Sequence, residues 1–222
     1  FSPILSADEK TLFFCGKMRE DNLGGEDIFF SEKVNDSWSA PVLLKGINTI
    51  TGNEAPEAIS VDKTTMLLFY NGDIFISRKN KNGWDTPKAF PTINTKGWDG
   101  DAMLTADGKA IIFASEGWDK KGIHSTANER KDLFDIYIST LENGKWTKPQ
   151  NLGLNINTAF CDRYPFLHYD MKTLYFSSEG RGGLGGSDLF MSKRLNDTSW
   201  TEWSEPINLG KLINTSGDDS GY

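Results

Sequence analysis

The sequence has few of the residues on which many enzymes and small secreted domains depend. Its 222 residues include two cysteines and two histidines. The two cysteines, Cys15 and Cys161, are too few for a disulfide framework, and we expect both to be free thiols. His124 and His168 are the only histidines, which argues against a histidine metal site or a histidine-dependent catalytic triad.

Long apolar runs and an excess of basic residues are also missing. No apolar stretch is long enough to cross a membrane as a helix. The 24 Lys and Arg residues are outnumbered by 31 Asp and Glu residues, which gives a formal net charge of −7. This balance argues against a nucleic-acid partner, since nucleic-acid binding needs a basic surface. Helical spacing of apolar residues does not persist anywhere for three turns, which argues against helices.

What the sequence contains instead is one pattern repeated four times. Each copy has an acidic turn, an aromatic segment, an Asp-led segment and a Trp-x-x-Pro segment, and it closes on Ile-Asn-Thr. The acidic turns are Ser6–Lys10, Ser60–Thr64, Thr105–Lys109 and His168–Lys172. The units cover approximately residues 1–54, 55–100, 101–162 and 163–219, and a further unit starts at 220–222. Repetition at this length indicates an array of supersecondary units.

Each unit holds four short runs rich in aromatic and branched residues, separated by Gly, Asn and Asp turns, which is typical of strands. We therefore predict an all-β fold, a β-propeller of four-stranded antiparallel blades. The run before each acidic turn is the innermost strand, and the Trp-x-x-Pro run is the outermost, where a proline is tolerated. Because Phe1–Pro3 and Asp219–Tyr222 both align with the innermost strand of unit four, we expect a larger ring of about six blades. A closed four-bladed ring is the alternative, and it would pair strands of the first and last units.

Three sets of acidic residues recur with the repeat. The Asp of each acidic turn is expected to accept amide hydrogens from its own turn, and the Asp that opens each third strand is expected to hold the preceding loop. The third set precedes the innermost strands, where converging carboxylates would suit a Ca²⁺ ion at the channel mouth. Capping of the connector backbone is the favoured alternative, and we expect no cofactor. The members of this set are Glu54, Asp99, Asp162 and Asp219.

The loops between second and third strands carry the most information about binding. They are long in units one, three and four (Gly16–Glu26, Glu116–Phe134 and Glu179–Ser187) but only Asn71-Gly72 in unit two. Repeat arrays concentrate insertions on the working face. Two tryptophans without counterparts in other units fall on this face, near several basic residues. The candidate partner-binding residues are Trp98, Trp118, Lys120, Lys121, Arg130, Lys131 and Arg181. The alternative role for the tryptophans is to roof the channel.

The repeat resembles the TolB-like, WD-like propeller repeats of cell-envelope proteins from Bacteroidota-type bacteria. Unit four, Pro165–Thr215, carries the pattern most fully, and unit two departs most because it lacks the Gly-rich loop. The resemblance implies a periplasmic, outer-membrane-associated protein. Relatives of this kind are often fused to an OmpA-like peptidoglycan-binding domain, and some accompany type IX secretion.

The resulting functional hypothesis is a non-enzymatic scaffold that binds another envelope protein, such as an outer-membrane or secretion-complex component. The resemblance brings no catalytic residues with it. Two alternatives remain open: a glycan-binding or glycan-hydrolysing propeller, and a regulatory propeller of a peptidase. An enzyme acting on glycans would need two carboxylates in unequal environments.

Overall fold

The computed structural model describes residues 3–118 and 133–221, which form nineteen β-strands in four antiparallel sheets. The first sheet contains β1 Ile4–Leu5, β2 Thr11–Lys17, β3 Glu26–Val34, β4 Ser37–Trp38 and β5 Val42–Leu43. The second contains β6 Glu54–Ile59, β7 Thr65–Tyr70, β8 Asp73–Asn80, β9 Gly83–Trp84 and β10 Lys88–Ala89. The third contains β11 Asp99–Leu104, β12 Ala110–Ser115, β13 Asp135–Glu142, β14 Lys145–Trp146 and β15 Gln150–Asn151. The fourth contains β16 Asp162–Leu167, β17 Thr173–Ser178, β18 Asp188–Lys193 and β19 Ile207–Asn208.

These sheets are the four blades of a β-propeller, which confirms the predicted fold class and strand order. In the described ranges there is no helix, and so no helical segment that would reach across a membrane. The outermost position differs from the prediction in detail. In the first blade the outermost strand is divided in two. Trp38 lies in β4, strand pairing is interrupted at Pro41, and β5 follows; both short strands pair with β3. The interruption is expected at a proline, because proline has no amide hydrogen to donate to the ladder.

The acidic turns behave as predicted. In the first turn the Asp8 carboxylate accepts hydrogen bonds from the Ser6 hydroxyl (2.6 Å) and the Lys10 amide (3.2 Å). Asp62 and Asp107 accept the equivalent hydrogen bonds in their turns. Asp170, whose turn begins with a histidine, accepts from the Lys172 amide and from the amide and hydroxyl of Thr173. These aspartates therefore close the hairpins between first and second strands.

Each pair of neighbouring blades shares a closed apolar layer, because the two faces of a small sheet must both be covered. Ile47, Ile93 and Ile156 of the Ile-Asn-Thr motifs are buried in these layers, between the first and second, second and third, and third and fourth blades. Full burial of such a side chain contributes about 1.5–3 kcal/mol. The layer between the first two blades consists of Phe13, Ile28, Leu44, Ile47, Met66 and Leu68.

The Asn of each Ile-Asn-Thr motif ties the connector to the third strand. Asn157 accepts a hydrogen bond from the Ile136 amide (2.7 Å) and donates to the Ile136 carbonyl (2.9 Å) and to the Asn151 side chain (2.8 Å). The equivalent pairs are Asn48 with Ile28, Asn94 with Ile74, and Asn214 with Leu189. Each asparagine thus replaces a short stretch of β-ladder where the connector leaves the blade.

The fourth blade differs from the others because the isoleucine of its Ile-Asn-Thr motif is not buried. Ile213 is 53% exposed, although Ile47, Ile93 and Ile156 are at most 1% exposed. Across 3–118 and 133–221, no strand of the first blade pairs with or contacts a strand of the fourth. Asp219 nevertheless donates its amide to the Ser187 carbonyl (2.8 Å), as Asp162 does to Phe134 (2.9 Å). The pairing required by a closed four-bladed ring is therefore not seen, and the larger ring stays a prediction.

Replacing Asn157 with alanine leaves the buried amide and carbonyl of Ile136 without their partners. We expect the free energy of unfolding to fall by about 3 kcal/mol, because unpaired buried backbone groups keep their full desolvation cost. Urea denaturation followed by tryptophan fluorescence measures the change. Asn82→Ala, in an exposed turn, is the control and should shift stability by less than about 0.5 kcal/mol. An equal loss of stability in the two variants would refute the role of Asn157 in fixing the connector to the third strand.

Candidate functional site

The innermost strands of all four blades line one cavity of about 820 Å³ along the propeller axis. At the end of the cavity nearest the acidic turns, its wall is apolar. Leu5, Ile59, Leu104 and Leu167 occupy equivalent positions there, and the turns add Ala7, Val61, Ala106 and Tyr169. At the connector end, charged and aromatic residues replace the apolar ones. This cavity is a candidate binding site, since ligand pockets combine an apolar lining with a few convergent polar groups.

Backbone irregularities turn the charged side chains of the innermost strands toward the axis. A β-bulge lies between Pro56 and Ala58, another between Gly100 and Met103, and a third between Arg163 and Phe166. Asp101 and Tyr164, within the second and third bulges, each have a φ of 51°. Left-handed backbone is costly for residues with a side chain, and such positions are concentrated at functional sites.

The bulges are joined to one another around the axis. The Glu57 carboxyl accepts hydrogen bonds from the amides of Asp101 and Ala102 in the next blade. The Asp101 carboxylate in turn accepts two hydrogen bonds from Arg163, from Nε at 2.8 Å and from Nη2 at 3.2 Å, and one from the Tyr164 amide. The Tyr164 side chain is hydrogen-bonded to Ser220. A chain of polar contacts therefore runs from the second blade to the residues that follow the fourth.

Aromatic rings enclose the Arg163 guanidinium. Its central carbon lies 4.4 Å from the ring centre of Trp98, 4.6 Å from that of Phe134 and 4.8 Å from that of Tyr164. Trp98 also packs on Phe134 (5.2 Å) and on Phe69 (5.6 Å). Arg163 is thus held by one carboxylate and three rings, an arrangement that favours its charged form.

The two carboxyl groups in the cavity have different environments. Burial and the neighbouring Asp101 charge raise the pKa of Glu57 to about 8, so Glu57 is largely protonated at neutral pH. Burial also raises the pKa of Asp101, but the ion pair with Arg163 opposes the rise. At neutral pH the cluster is therefore a neutral acid beside an ion pair.

The carboxylates predicted to lie at the channel mouth accept hydrogen bonds from the connectors. Asp162 accepts hydrogen bonds from the amide and hydroxyl of Thr158 at 2.6 and 2.9 Å, and Asp99 and Asp219 bond Thr95 and Thr215 in the same way. Glu54 accepts the Thr49 hydroxyl at 2.6 Å. Within the two described ranges, no three His, Cys, Asp or Glu side chains come together as a metal site would require. This geometry supports the capping alternative for the set.

The long loops and the connectors form one face, as predicted. In the first blade β2 and β3 extend further than expected, so the loop is residues 18–25, and Gly25 donates its amide to the Gly52 carbonyl (3.0 Å). In the fourth blade the Glu179 and Gly186 amides bond Cys161 (3.0 Å) and Gly217 (3.2 Å). Asp27 and Asp188 accept amide hydrogens from their own loops, which confirms their predicted role. We call this surface the loop–connector face, formed by residues 18–25, 49–53, 95–98, 116–118, 158–161, 179–187 and 215–218.

The candidate partner-binding residues fall in several places. Trp98 lies in the channel wall against Arg163, as the roofing alternative requires. Trp118 donates from Nε1 to the Ile93 carbonyl (2.6 Å) and packs against the layer between the second and third blades. Arg181 donates to the carbonyls of Leu154 (3.3 Å) and Asn155 (2.6 Å). The four remaining candidates, Lys120, Lys121, Arg130 and Lys131, lie outside the described residues.

Apolar side chains are exposed on the loop–connector face. Met18 is 91% exposed and Ile50 is 78% exposed. Leu23, Phe160 and Leu184 are also exposed. These residues come from two loops and two connectors, so the apolar character belongs to the whole face and not to one turn. None of these five was among the predicted partner-binding residues, which are tryptophan and basic side chains.

Glu57, Asp101 and Arg163 were not among the predicted site residues. The acidic residues considered from the sequence were those that recur in every unit, whereas these three do not recur: Glu57 aligns with Ala102, and Asp101 aligns with Pro56 and Tyr164. The signal available in the sequence was a charged residue on an innermost strand, at a position where the other units have an uncharged residue.

Comparison with known proteins supports the fold. No family model matches the sequence, and no curated protein matches it. TolB from Acinetobacter baumannii is similar in structure over 87% of this chain and 40% of its own length, with 20% identity and a TM-score of 0.56. A putative TolB from Agrobacterium tumefaciens matches 96% of this chain and 67% of its own, with 12% identity and a TM-score of 0.56. A GH43B protein of a Bacteroides ovatus xyloglucan locus matches 96% of this chain and 41% of its own, with 15% identity and a TM-score of 0.51. This chain therefore resembles TolB-like propellers and spans less than half of the first and third of these proteins.

The raised pKa of Glu57 predicts a pH dependence of stability. The folded protein holds the Glu57 proton more tightly than the unfolded chain, where the pKa is near 4.5. Stability from this group is therefore complete below about pH 4.5 and is lost as the pH rises toward 8. Glu57→Gln, which keeps an oxygen for the Asp101 and Ala102 amides, should remove this loss. We expect the variant to gain stability relative to the native protein between pH 5 and 8, as measured by urea denaturation.

Glu9→Gln is the matched control, because Glu9 is exposed in the first acidic turn. Its stability should follow the native pH profile. Parallel profiles for Glu57→Gln and the native protein would show that Glu57 is ionised in the folded state, contrary to the expectation.

Proposed function

We propose that this propeller is a non-enzymatic scaffold that binds a protein partner through its loop–connector face. The observation that carries the proposal is the set of exposed apolar side chains on that face, Met18 and Ile50 above all. Exposed apolar side chains that share one surface mark interaction sites in folded proteins. The connectors that carry Ile50 and Phe160 are held by partly buried hydrogen bonds, such as those from Thr158 to Asp162. The face is therefore rigid enough to bind without large ordering costs.

The proposed location is the bacterial cell envelope, in the periplasm and associated with the outer membrane. The likeness to TolB structures supports an envelope protein only as an analogy of fold. The partner we infer is an envelope protein, either an outer-membrane component or part of a secretion complex. Fractionation of the native cells, with the protein followed through periplasmic and membrane fractions, tests this location directly.

A glycan-binding or glycan-hydrolysing propeller is the second candidate. It is favoured by two carboxyl groups in unequal environments, Glu57 and Asp101, on the wall of one cavity. Paired carboxyls of this kind serve as acid and base in glycoside hydrolysis. However, Asp101 already accepts two hydrogen bonds from Arg163 and one from the Tyr164 amide. This occupation leaves it poorly placed to act as a free base, so we rank the protein-binding function first.

Site-specific photo-crosslinking in the native cell tests the loop–connector face. A photoreactive phenylalanine at position 18, 50 or 184 should yield the same crosslinked partner, because the three positions share one face. The control is position 195, an exposed leucine (67%) after the third strand of the fourth blade, which should yield none. The crosslinked protein is identified by mass spectrometry. Equal adducts at position 195, or different proteins at each test position, would refute a specific interface.

The four basic candidates are tested on the same partner. Replacing Lys120, Lys121, Arg130 and Lys131 with serine should reduce its capture and weaken the salt dependence of binding, since basic side chains attract an oppositely charged partner over a distance. Lys33 and Lys79, on third strands of the first two blades, give a control substitution with the same type of charge loss. Undiminished capture by the fourfold variant would remove these residues from the interface.

A further inference from the structure

The axial cavity contains an unbalanced set of charges on a wall whose other residues are uncharged. Among the described residues that line it, the ionisable acids and bases are Glu57, Asp101 and Arg163. When all three are ionised, two negative charges face one positive charge. The Tyr164 hydroxyl is the remaining titratable group that faces them, and it is bonded to Ser220.

The positive charge is already committed to Asp101. Arg163 donates two hydrogen bonds to Asp101, and three aromatic rings surround its guanidinium. A bidentate pair of this kind fixes the guanidinium in one orientation. Glu57 accepts only from backbone amides of the neighbouring blade. In the part of the chain that the structure describes, no cationic side chain is hydrogen-bonded to the Glu57 carboxyl. Burial and the neighbouring Asp101 charge raise its pKa, so Glu57 keeps its proton at neutral pH.

The opposite end of the cavity is shaped for an apolar group. Leu5, Ile59, Leu104 and Leu167 form a belt, and Val61 and Tyr169 stand at its edge, 54% and 64% exposed. A volume of about 820 Å³ falls within the range of about 300–1,000 Å³ typical of small-ligand pockets. Ile59 of the belt and Glu57 lie two residues apart on β6, and both line the cavity, so the belt and the carboxyl face one space.

We propose that the axial cavity binds a primary ammonium group carried on an apolar body, with the ionised Glu57 carboxylate as its counterion and the belt of leucine and isoleucine side chains around the body. The ammonium supplies the charge that the Glu57–Asp101–Arg163 cluster lacks. An anionic ligand would instead have to compete with Asp101 for Arg163. The site is separate from the loop–connector face, so either proposal can fail without the other.

Binding is coupled to the loss of a proton. At neutral pH the empty site holds the Glu57 proton, and the entering ammonium displaces it to solvent. Affinity should therefore increase with pH by up to about tenfold per unit below about pH 8 and level off above it. The groups that face Glu57 and set this dependence are Asp101, Arg163 and Tyr164.

Titration calorimetry with 4-phenylbutylamine as the probe tests the proposal. Three ligands serve as comparisons: 4-phenylbutanol, 4-phenylbutyrate and cellotriose. At pH 7 the amine should bind about tenfold or more tightly than the alcohol, because a charge-assisted hydrogen bond replaces a neutral one. Titrations in buffers of different ionisation enthalpy should show proton release with the amine and none with the alcohol. Tighter binding of the alcohol, the carboxylate or cellotriose than of the amine would overturn the proposal.

Two variants connect the effect to Glu57. In Glu57→Gln the preference for the amine over the alcohol should fall to within about twofold, and proton release should disappear. In Glu9→Gln both should remain as in the native protein. If Glu57→Gln does not fold, the proton release measured with the native protein still decides the matter. Absence of proton release with the amine refutes the proposal.

Peptide ligands distinguish two possible sources of such an ammonium group, the amino end of a chain and a lysine side chain. A short apolar peptide with a free amino end is compared with its acetylated form, and an acetylated apolar peptide ending in lysine is compared with its acetyl-lysine version. Binding lost on acetylation of the amino end identifies a chain terminus as the ligand, and loss on lysine acetylation identifies a side chain. Binding of the amine but of neither peptide restricts the ligand to small amines. Equal binding of the free and acetylated forms overturns the requirement for an ammonium group.

Discussion

The hydrogen bonds between each connector asparagine and the third strand of its blade are the constraint on which the propeller depends. Asn157 bonds both the amide and the carbonyl of Ile136, and three other units repeat the arrangement. These bonds fix the point at which the chain leaves one blade. They also place the preceding isoleucine, as at Ile156, in the layer shared with the next blade. Polar satisfaction and apolar burial are thus coupled within two consecutive residues, which explains why the motif is kept as a unit.

Because these contacts recur in every blade, the residues that line the axis can differ from one blade to the next. The repeat fixes backbone position, turn geometry and interblade packing. None of these is specified by the positions in and beside the bulges of the innermost strands. There the units differ, with Glu57 and Asp101 inside two of the bulges and Arg163 beside the third. Function in a repeat protein is best sought where the repeat is broken on a shared surface.

The fold could be predicted from the sequence because its causes are local and repeated. Asp8 and its equivalents, the aromatic second strands and the Ile-Asn-Thr motifs each specify a feature that a single unit already contains. The axial cluster could not be predicted in the same way. The bulge at Asp101 depends on the register between β11 and β12, and the partner of Asp101 comes from another blade 62 residues away. Likewise, a sequence shows that Trp118 has no counterpart, but only packing shows that its indole bonds Ile93.

The axial charges also constrain what the cavity can be. A buried ion pair is seldom a gain in stability over apolar packing, and a protonated glutamate beside it adds a further polar group that must be satisfied. Left-handed backbone at Asp101 and Tyr164 adds a conformational cost. A packed axis of aliphatic side chains would be simpler and no less stable. The arrangement is therefore better explained by recognition than by folding. The group without a charged partner is the Glu57 carboxyl and not a base, which favours a cationic ligand over an anionic one.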